Sequence, residues 1–264
     1  MRIDLTSKKA VVTGSTQGIG FAIAAGLAAA GASVVLNGRT EKSVDAALAR
    51  LKKALPDAKI EGVAADLATR AGAETFIARV DDADILVNNL GIFEPKSFFK
   101  IADDDWMRFF ETNVVSGVRM SRHYFPKMKA RNWGRIVFIS SESGLNIPTE
   151  MIHYGTTKTA QLAVSRGLAK LARGTGVTVN SVLPGPTKSE GVDVFIKELA
   201  KAQGMPEAEA EKSFIAQNRP SSIIGRLASV EEVANMVVYV CSPQASATTG
   251  AALRVDGGLV DTIA

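Results

Sequence analysis

Short apolar runs alternate with longer amphipathic stretches along most of the chain. Residues 9–13, 33–37, 60–64, 84–88, 135–140 and 177–183 read as strands. Between them, residues 18–30, 41–55, 71–80, 103–130 and 154–173 carry helical patterning, and Pro56 stops the second of these. The strand runs are apolar at successive rather than alternate positions, which marks burial on both faces. Repeated βα units with right-handed crossovers then predict an α/β fold: a doubly wound parallel sheet of about seven strands with helices on both faces.

No internal repeat or low-complexity linker interrupts residues 1–264, so one domain is expected. Residues 186–227 break the rhythm. They show no clear strand, only short helical stretches at 192–196 and 208–216. An insertion after a strand's carboxyl end is well placed to cover a ligand, so this segment is expected to be a lid. A surface elaboration or a subunit contact is the alternative.

Composition narrows the class. The chain is 46% hydrophobic and 22% charged, as expected of an ordinary globular core. The net charge is +4, and Lys and Arg are scattered with no run of five. That reads as a solvated surface, so no nucleic-acid partner is expected. No apolar stretch is long enough to cross a bilayer, and Met1-Arg2-Ile3-Asp4 does not open an apolar leader. A cytoplasmic protein without a membrane partner is the expectation. Cys241 is the single cysteine and lies in an apolar run, where a buried thiol is expected. His123 and His153 stand apart, without carboxylates at ligand spacing, so no metal is expected. His123 reads as structural. His153 precedes Tyr154 and is expected to border the substrate.

Two patterns carry candidate chemistry. Thr13-Gly14-Ser15-Thr16-Gln17-Gly18-Ile19-Gly20 joins the first strand to the first helix. Glycines permit a sharp turn and close approach, and the helix amino terminus offers free N–H groups to a pyrophosphate. At the first βα junction of a doubly wound chain this predicts a dinucleotide site. The second strand ends Leu36-Asn37-Gly38-Arg39, with no carboxylate to hold a ribose 2′-hydroxyl. Arg39 instead offers a planar fork suited to a 2′-phosphate. NADP(H) is therefore preferred, with NAD(H) possible. Further on, Tyr154 and Lys158 stand four residues apart on one helical face. A free tyrosine titrates near 10, and a neighbouring cation lowers an acid's pKa by roughly 1–3 units. Lys158 is expected to act on Tyr154 in this way, making a proton donor for carbonyl reduction.

These motifs resemble those of the short-chain dehydrogenases/reductases, which carry T-G-x-x-x-G-x-G at the turn and Y-x-x-x-K on the helix. The resemblance implies a Rossmann-type fold, a small-molecule carbonyl or alcohol substrate, and hydride transfer with a nicotinamide. It implies a catalytic serine thirteen residues before the tyrosine, which is Ser141, although Ser140 and Ser143 are close competitors. Asn113 matches the asparagine that holds a relay water. Asp66 and Leu67 match the pair near the adenine. Asn88-Asn89-Leu90-Gly91 resembles N-N-A-G, with Leu90 adding bulk on the adenosine side, and implies cofactor contacts at Asn89 and Gly91. Asn180-Ser181-Val182-Leu183-Pro184-Gly185 resembles N-x-V-x-P-G, implying contacts at Pro184, Gly185 and Thr187. Arg254-Val255-Asp256-Gly257-Gly258 resembles the closing strand and turn. A homotetramer through the helices beginning near Asp103 and Tyr154 is implied as well.

The C-terminal half resembles 3-oxoacyl carrier-protein reductases. With Val192, Val194, Phe195, Ile196, Leu199, Phe214 and Ile215 in the lid, and Phe93, Phe98, Leu145, Met151 and Ile152 nearby, an apolar ketone such as a 3-oxoacyl group is expected. Two alternatives compete. A methyltransferase on a similar fold does not account for Ser141, Tyr154 and Lys158 together. A non-catalytic dinucleotide sensor of the same fold would usually lack the tyrosine or the lysine.

Overall fold

The computed structural model describes residues 2–263 and, within them, every side chain but that of Phe195. Strands β1 (Lys9–Val12), β2 (Ser33–Gly38), β3 (Ile60–Ala64), β4 (Ile85–Asn88), β5 (Gly134–Ile139) and β6 (Val177–Pro184) match the predicted runs to within one or two residues. A seventh, Ala252–Val255, closes the sheet. Numbered in chain order it is β9, because two short strands, β7 (Thr187–Lys188) and β8 (Ala228–Ser229), precede it. The seven-stranded sheet runs β3-β2-β1-β4-β5-β6-β9, and every pairing is parallel.

Burial on both faces explains the unbroken apolar runs. Residues of β1 and β5 alternate between two cores: Ala10, Val12, Val137 and Ile139 face one, and Val11, Ile136 and Phe138 the other. The first core is covered by α1 (Gly18–Ala29), α2 (Glu41–Ala54) and α9 (Val230–Val240), and the second by α3 (Arg70–Arg79), α5 (Ser116–Ala130) and α6 (Ile152–Leu171). Several helices start where a side chain caps them. Thr40 accepts from the Ser43 N–H, Thr69 from Gly72, and Ser229 forms a reciprocal capping box with Glu232.

Two regions differ from the sequence reading. The stretch 103–130 is not one helix. Helix α4 (Asp103–Phe110) gives way to a π-helical turn, Glu111–Val115, before α5 resumes. One extra residue in a turn is invisible to a 3.6-residue pattern, and such turns recur at functional sites. The excursion at 186–227 does contain a strand. Thr187–Lys188 pairs in parallel with Ala228–Ser229 and ties its base. Above that tie stand α7 (Glu190–Gln203) and α8 (Glu207–Asn218), longer than the expected stretches. They pack mainly on each other.

Candidate active site

The strand order reverses between β1 and β4, which opens a crevice at their carboxyl ends. The glycine-rich turn leaves β1 there. Gly14 and Gly18 take φ of 60° and 58°, the left-handed region where a side chain is strained. A Cβ on Gly20 would lie 2.4 Å from Asn89 Nδ2 and 2.5 Å from the Gly14 carbonyl oxygen, so the helix start packs directly on the turn. Asn89 braces it, donating from Nδ2 to the carbonyls of Thr13 and Gly14, both at 2.9 Å. Ser15 is turned inward: its hydroxyl donates to the Val12 carbonyl at 2.7 Å and accepts from the Asn37 N–H at 3.0 Å. Its side chain is structural, leaving Thr16, Gln17, Gly18 and Ile19 to present the helix amino terminus. The Gly18 N–H itself donates to Glu190 Oε2 at 2.8 Å.

Further cofactor candidates ring this crevice. Arg39 is exposed just past β2. Asp66 accepts from the Ala68 N–H at 3.1 Å, whereas the Leu67 side chain is buried in the core and not free to contact a ligand. Leu90 is partly buried against the core, packed beside Gly14. Gly91 connects the turn to the chemistry, because a Cβ there would lie 3.4 Å from Lys158 Nζ and 3.5 Å from Asn113 Oδ1. Pro184 ends β6, Gly185 packs on Asp256, and the Thr187 hydroxyl donates to the Gly185 carbonyl at 2.8 Å.

The π-turn presents Asn113. Its Oδ1 accepts from the Ile92 N–H at 2.8 Å, and its Nδ2 donates to the Ile92 carbonyl and to Thr157 Oγ1, both at 3.0 Å. Its carbonyl accepts from Gln161 Nε2 at 2.6 Å. Asn113 thus pins the loop after β4 to α6.

Among the three serines the geometry discriminates. Ser140 is committed to the Lys158 carbonyl at 2.8 Å, and Ser143 to Glu142 at 3.0 Å. Ser141, with a φ of −167° where β5 ends, turns its hydroxyl to Tyr154 as a hydrogen-bond partner. It also donates to Glu142 Oε2. Lys158 is buried, with Nζ donating to the Ile139 carbonyl at 2.9 Å and lying 5.6 Å from the centre of the Tyr154 ring.

Electrostatics correct one expectation. Tyr154 is half-buried with its hydroxyl end desolvated, and that desolvation pushes the phenol above its ordinary value. The bond to Ser141 and the charge of Arg219 oppose the rise, and Glu142 reinforces it. Lys158 is not the counterweight in the free protein. Burial lowers its own pKa to about 8, against the pull of Glu142. The Lys158 ammonium, held at the Ile139 carbonyl 5.6 Å from the centre of the ring, does not offset the desolvation of the phenol.

Glu142 and Arg219 were not anticipated. Both are largely buried, with Arg219 Nε 3.6 Å from Glu142 Oε1 and Arg219 Nη1 3.3 Å from Glu150 Oε1. The only signal was position: a charged residue directly after the serine, and an arginine just before Pro220. Beside them opens a cavity of about 260 Å³ lined by Asn146, Glu150, Asn218 and Arg219 among others. A second cavity, of about 660 Å³, opens near Lys9, Ser33 and Lys59, at the amino ends of the strands and away from this constellation.

Two other expectations change. Val192, Ile196, Phe214 and Ile215 gather with Ala200, Met205, Ala210 and Leu227 into a small core of the excursion itself, so they are not free to line a pocket. Val194 is exposed, and the Phe195 side chain lies outside the described residues. His153 does not border the site; it is fully buried against Phe109, with ring centroids 4.1 Å apart, and edge-on to Trp106. Apolar groups do stand at the mouth: Phe93 meets the Tyr154 ring edge-on at 6.3 Å, and Leu145 is exposed. His123 is structural, its Nε2 paired with the Asp81 carbonyl at 2.8 Å. Cys241 is buried and free, its thiol pushed up to about 12 by burial. Among the described residues no cluster of metal-ligating side chains occurs, and no helix is long and apolar enough to cross a membrane.

Comparison with known proteins bears on this arrangement. The model of the short chain dehydrogenase family matches residues 8–199. The chain is 48% identical over the full length of both chains to the uncharacterized oxidoreductase YvaG of Bacillus subtilis. It is 34% identical to the 3-oxoacyl-[acyl-carrier-protein] reductase FabG of Aquifex aeolicus, covering 98% of this chain and 100% of that one. Its fold superposes on L-sorbose reductase of Gluconobacter frateurii, solved in complex with NADPH and L-sorbose, with a TM-score of 0.94, 33% identity and full coverage of both chains.

Proposed function

We propose, from the premise that this chain belongs to the short chain dehydrogenase family and is an oxidoreductase, that it reduces a small ketone with NADPH. The observation that carries this reading is the pairing of the Ser141 and Tyr154 hydroxyls with Lys158 beneath them. Gly91 backs onto Lys158 and continues into the loop that braces the glycine-rich turn. One contiguous surface thus holds a proton donor and a place for a dinucleotide.

The dinucleotide, when bound, supplies the hydride. Its pyrophosphate fits the amino terminus of α1, where a Cβ on Gly14 or Gly18 would strain the turn. Arg39 is the residue we assign to a 2′-phosphate, supported by the absence of a carboxylate at the end of β2 and by NADPH in the L-sorbose reductase complex. Asp66, Leu67, Asn89, Gly91, Pro184, Gly185 and Thr187 complete the proposed cradle, the backbone acting where the side chain is turned inward.

On the substrate side, Ser141 orients the carbonyl oxygen and Tyr154 delivers the proton to it. Ser141 steadies the negative charge that develops on that oxygen. Lys158 anchors the ribose side and replenishes the proton, and the second lone pair of the Asn113 carbonyl is the place we assign to a relay water. Residues 186–227 act as the lid.

For the substrate, the polar set Asn146, Glu150, Asn218 and Arg219 around the smaller cavity, with Glu142 paired to Arg219, favours a small, hydroxyl-bearing ketone, in keeping with the sugar bound by L-sorbose reductase. A 3-oxoacyl substrate is the second reading, favoured by Phe93 and Leu145 at the mouth and by the reductase of Aquifex aeolicus. A non-catalytic sensor is disfavoured, because Tyr154 and Lys158 are both present. We further assign the protein to a homotetramer, as the family resemblance implies, and to the cytoplasm.

The test is NADPH oxidation across hydroxyketones and 3-oxoacyl thioesters, with wild type, Tyr154→Phe and Arg39→Ala. Tyr154→Phe is expected to lose about 10²–10⁴ in kcat while binding NADPH as before. Arg39→Ala is expected to narrow the preference for NADPH over NADH. A Tyr154→Phe enzyme that still turns over would place the chemistry elsewhere, and NADPH binding without turnover on any ketone would favour the sensor.

A further inference from the structure

The residue after Ser141 is a carboxylate with no evident place in ketone reduction. Glu142 is only 4% exposed, and an unpaired charge at that depth would be costly. Its partners are specific. Oε2 accepts from the Ser141 hydroxyl, from the Ser143 N–H at 2.7 Å and from the Ser143 hydroxyl at 3.0 Å. Oε1 faces Arg219 Nε across 3.6 Å. Arg219 caps the C-terminal end of α8, so the second charge comes from the excursion and not from the sheet.

A hydroxyl has one proton and two lone pairs. Ser141 gives its proton to Glu142, and one lone pair accepts from the Ser143 N–H at 3.1 Å. The single proton thus has two alternative acceptors, Glu142 Oε2 and the Tyr154 oxygen, whose bond to Ser141 favours the phenolate. Glu142 and the Ser143 N–H hold the Ser141 oxygen in place before any substrate arrives, while its proton stays free to swing toward Tyr154 or a carbonyl. When a carbonyl takes the Ser141 proton, Ser143 still bonds Glu142 twice, and Arg219 stands by to balance the freed charge.

We propose that Glu142 is a positioning residue of this active site, holding the Ser141 hydroxyl toward Tyr154, and that Arg219 is its counter-charge, supplied by the excursion over residues 186–227. The proposal rests on the reading of Ser141, Tyr154 and Lys158 as the reducing site. Charged groups facing Tyr154 are Glu142 from the turn after β5, Lys158 from its own helix, and Arg219 from the end of α8, itself shared with Glu150. Glu142 raises the pKa of both Tyr154 and Lys158, whereas Arg219 lowers that of Tyr154.

The experiment compares wild type, Glu142→Gln, Glu142→Asp and Arg219→Gln on the ketone the wild type reduces fastest. It reads kcat, KM and NADPH affinity across pH. Glu142→Gln is expected to lose about ten- to a hundred-fold in kcat, with KM and NADPH affinity nearly unchanged, because a misplaced hydroxyl costs orientation and not binding. Its alkaline limb is expected to fall by about one pH unit, since the charge that holds protons on Lys158 and Tyr154 is gone. Glu142→Asp keeps the charge but not the reach, so kcat falls while the limb stays. Arg219→Gln takes the counter-charge from the buried Glu142, so its melting temperature is read as well to show that the variant is folded; it is expected to raise KM without lowering the limb. Wild-type kcat in Glu142→Gln, an unmoved limb in that variant, or a lowered limb in Arg219→Gln would each overturn the proposal. Tyr154→Phe in the same assay separates the two claims: if it stays active, the reading of the site fails, whatever Glu142 does.

Discussion

Lys158 illustrates how a single residue is shaped by where the fold puts it. Its ammonium gives up water for one carbonyl, Ile139, and no carboxylate lies in contact with it. Burial therefore lowers its pKa to about 8. The unfolded chain binds that proton more tightly, so below pH 8 the charged side chain is a burden on stability. Lys158→Met keeps the length and removes the charge. It is expected to melt higher than wild type at about pH 6.5, by about 1 kcal/mol or more, and to lose turnover. The gain is expected to shrink as the pH rises through 8, because the wild-type lysine then sheds its proton anyway. Thermal melts at about pH 6.5 and about pH 9.5 check this, and a gain equal at both would refute the cause. At this scale the sequence was informative about identity but not about partners. Tyr154 and Lys158 stood out by their i, i+4 spacing, and Ser141 only through the family resemblance, which left Ser140 and Ser143 as competitors. Glu142 was not, because a glutamate beside a serine is an ordinary surface pattern until burial gives it an arginine 77 positions further along the chain.

Helix α7 begins with a carboxylate lodged on the cofactor turn. Glu190 Oε2 takes the Gly18 N–H at 2.8 Å, and its Oε1 lies 3.5 Å from Arg50 Nη2. A pyrophosphate at the start of α1 needs the same N–H and carries the same sign of charge. Glu190→Gln is expected to tighten NADPH binding roughly two- to ten-fold at low salt, and less at high salt, where the repulsion is screened. Calorimetric titration at two ionic strengths reads this directly, and an unchanged affinity at both counts against a competition between Glu190 and phosphate. The helix after Asp103 carries a different lesson. Apolar periodicity identified its two ends correctly, yet the π-turn at Glu111–Val115 that aims Asn113 arises from packing on Ile92, Thr157 and Gln161. Those partners lie far along the chain, so no local pattern records them.

Across the molecule, the sheet and the excursion are held by different amounts of buried surface. The sheet strands sit between two large cores, whereas α7 and α8 share a small one and meet the rest through a two-residue ladder at their base and a few polar contacts, Glu190 to Gly18 and Arg219 to Glu142 among them. Few buried contacts mean cheap local opening. Amides of residues 190–218 are expected to exchange with solvent faster than those of β1, β4 and β5, and NADPH to slow them; equal protection in the free protein would show that the excursion is not a separate opening unit. Light scattering is expected to give four times the 27.9 kDa chain mass if the proposed homotetramer forms. The sequence by itself determined the parallel sheet, the place of the glycine turn and the shared helical face of Tyr154 and Lys158, because each depends on a short-range pattern: unbroken apolar runs, a glycine-rich junction, an i, i+4 spacing. Only the tertiary structure decided that the apolar residues of 186–227 face one another, that His153 is sealed behind Phe109, and that Glu142 and Arg219 meet at Ser141. Each of these depends on which side of an element finds a partner, and that is settled by burial between segments distant in the chain.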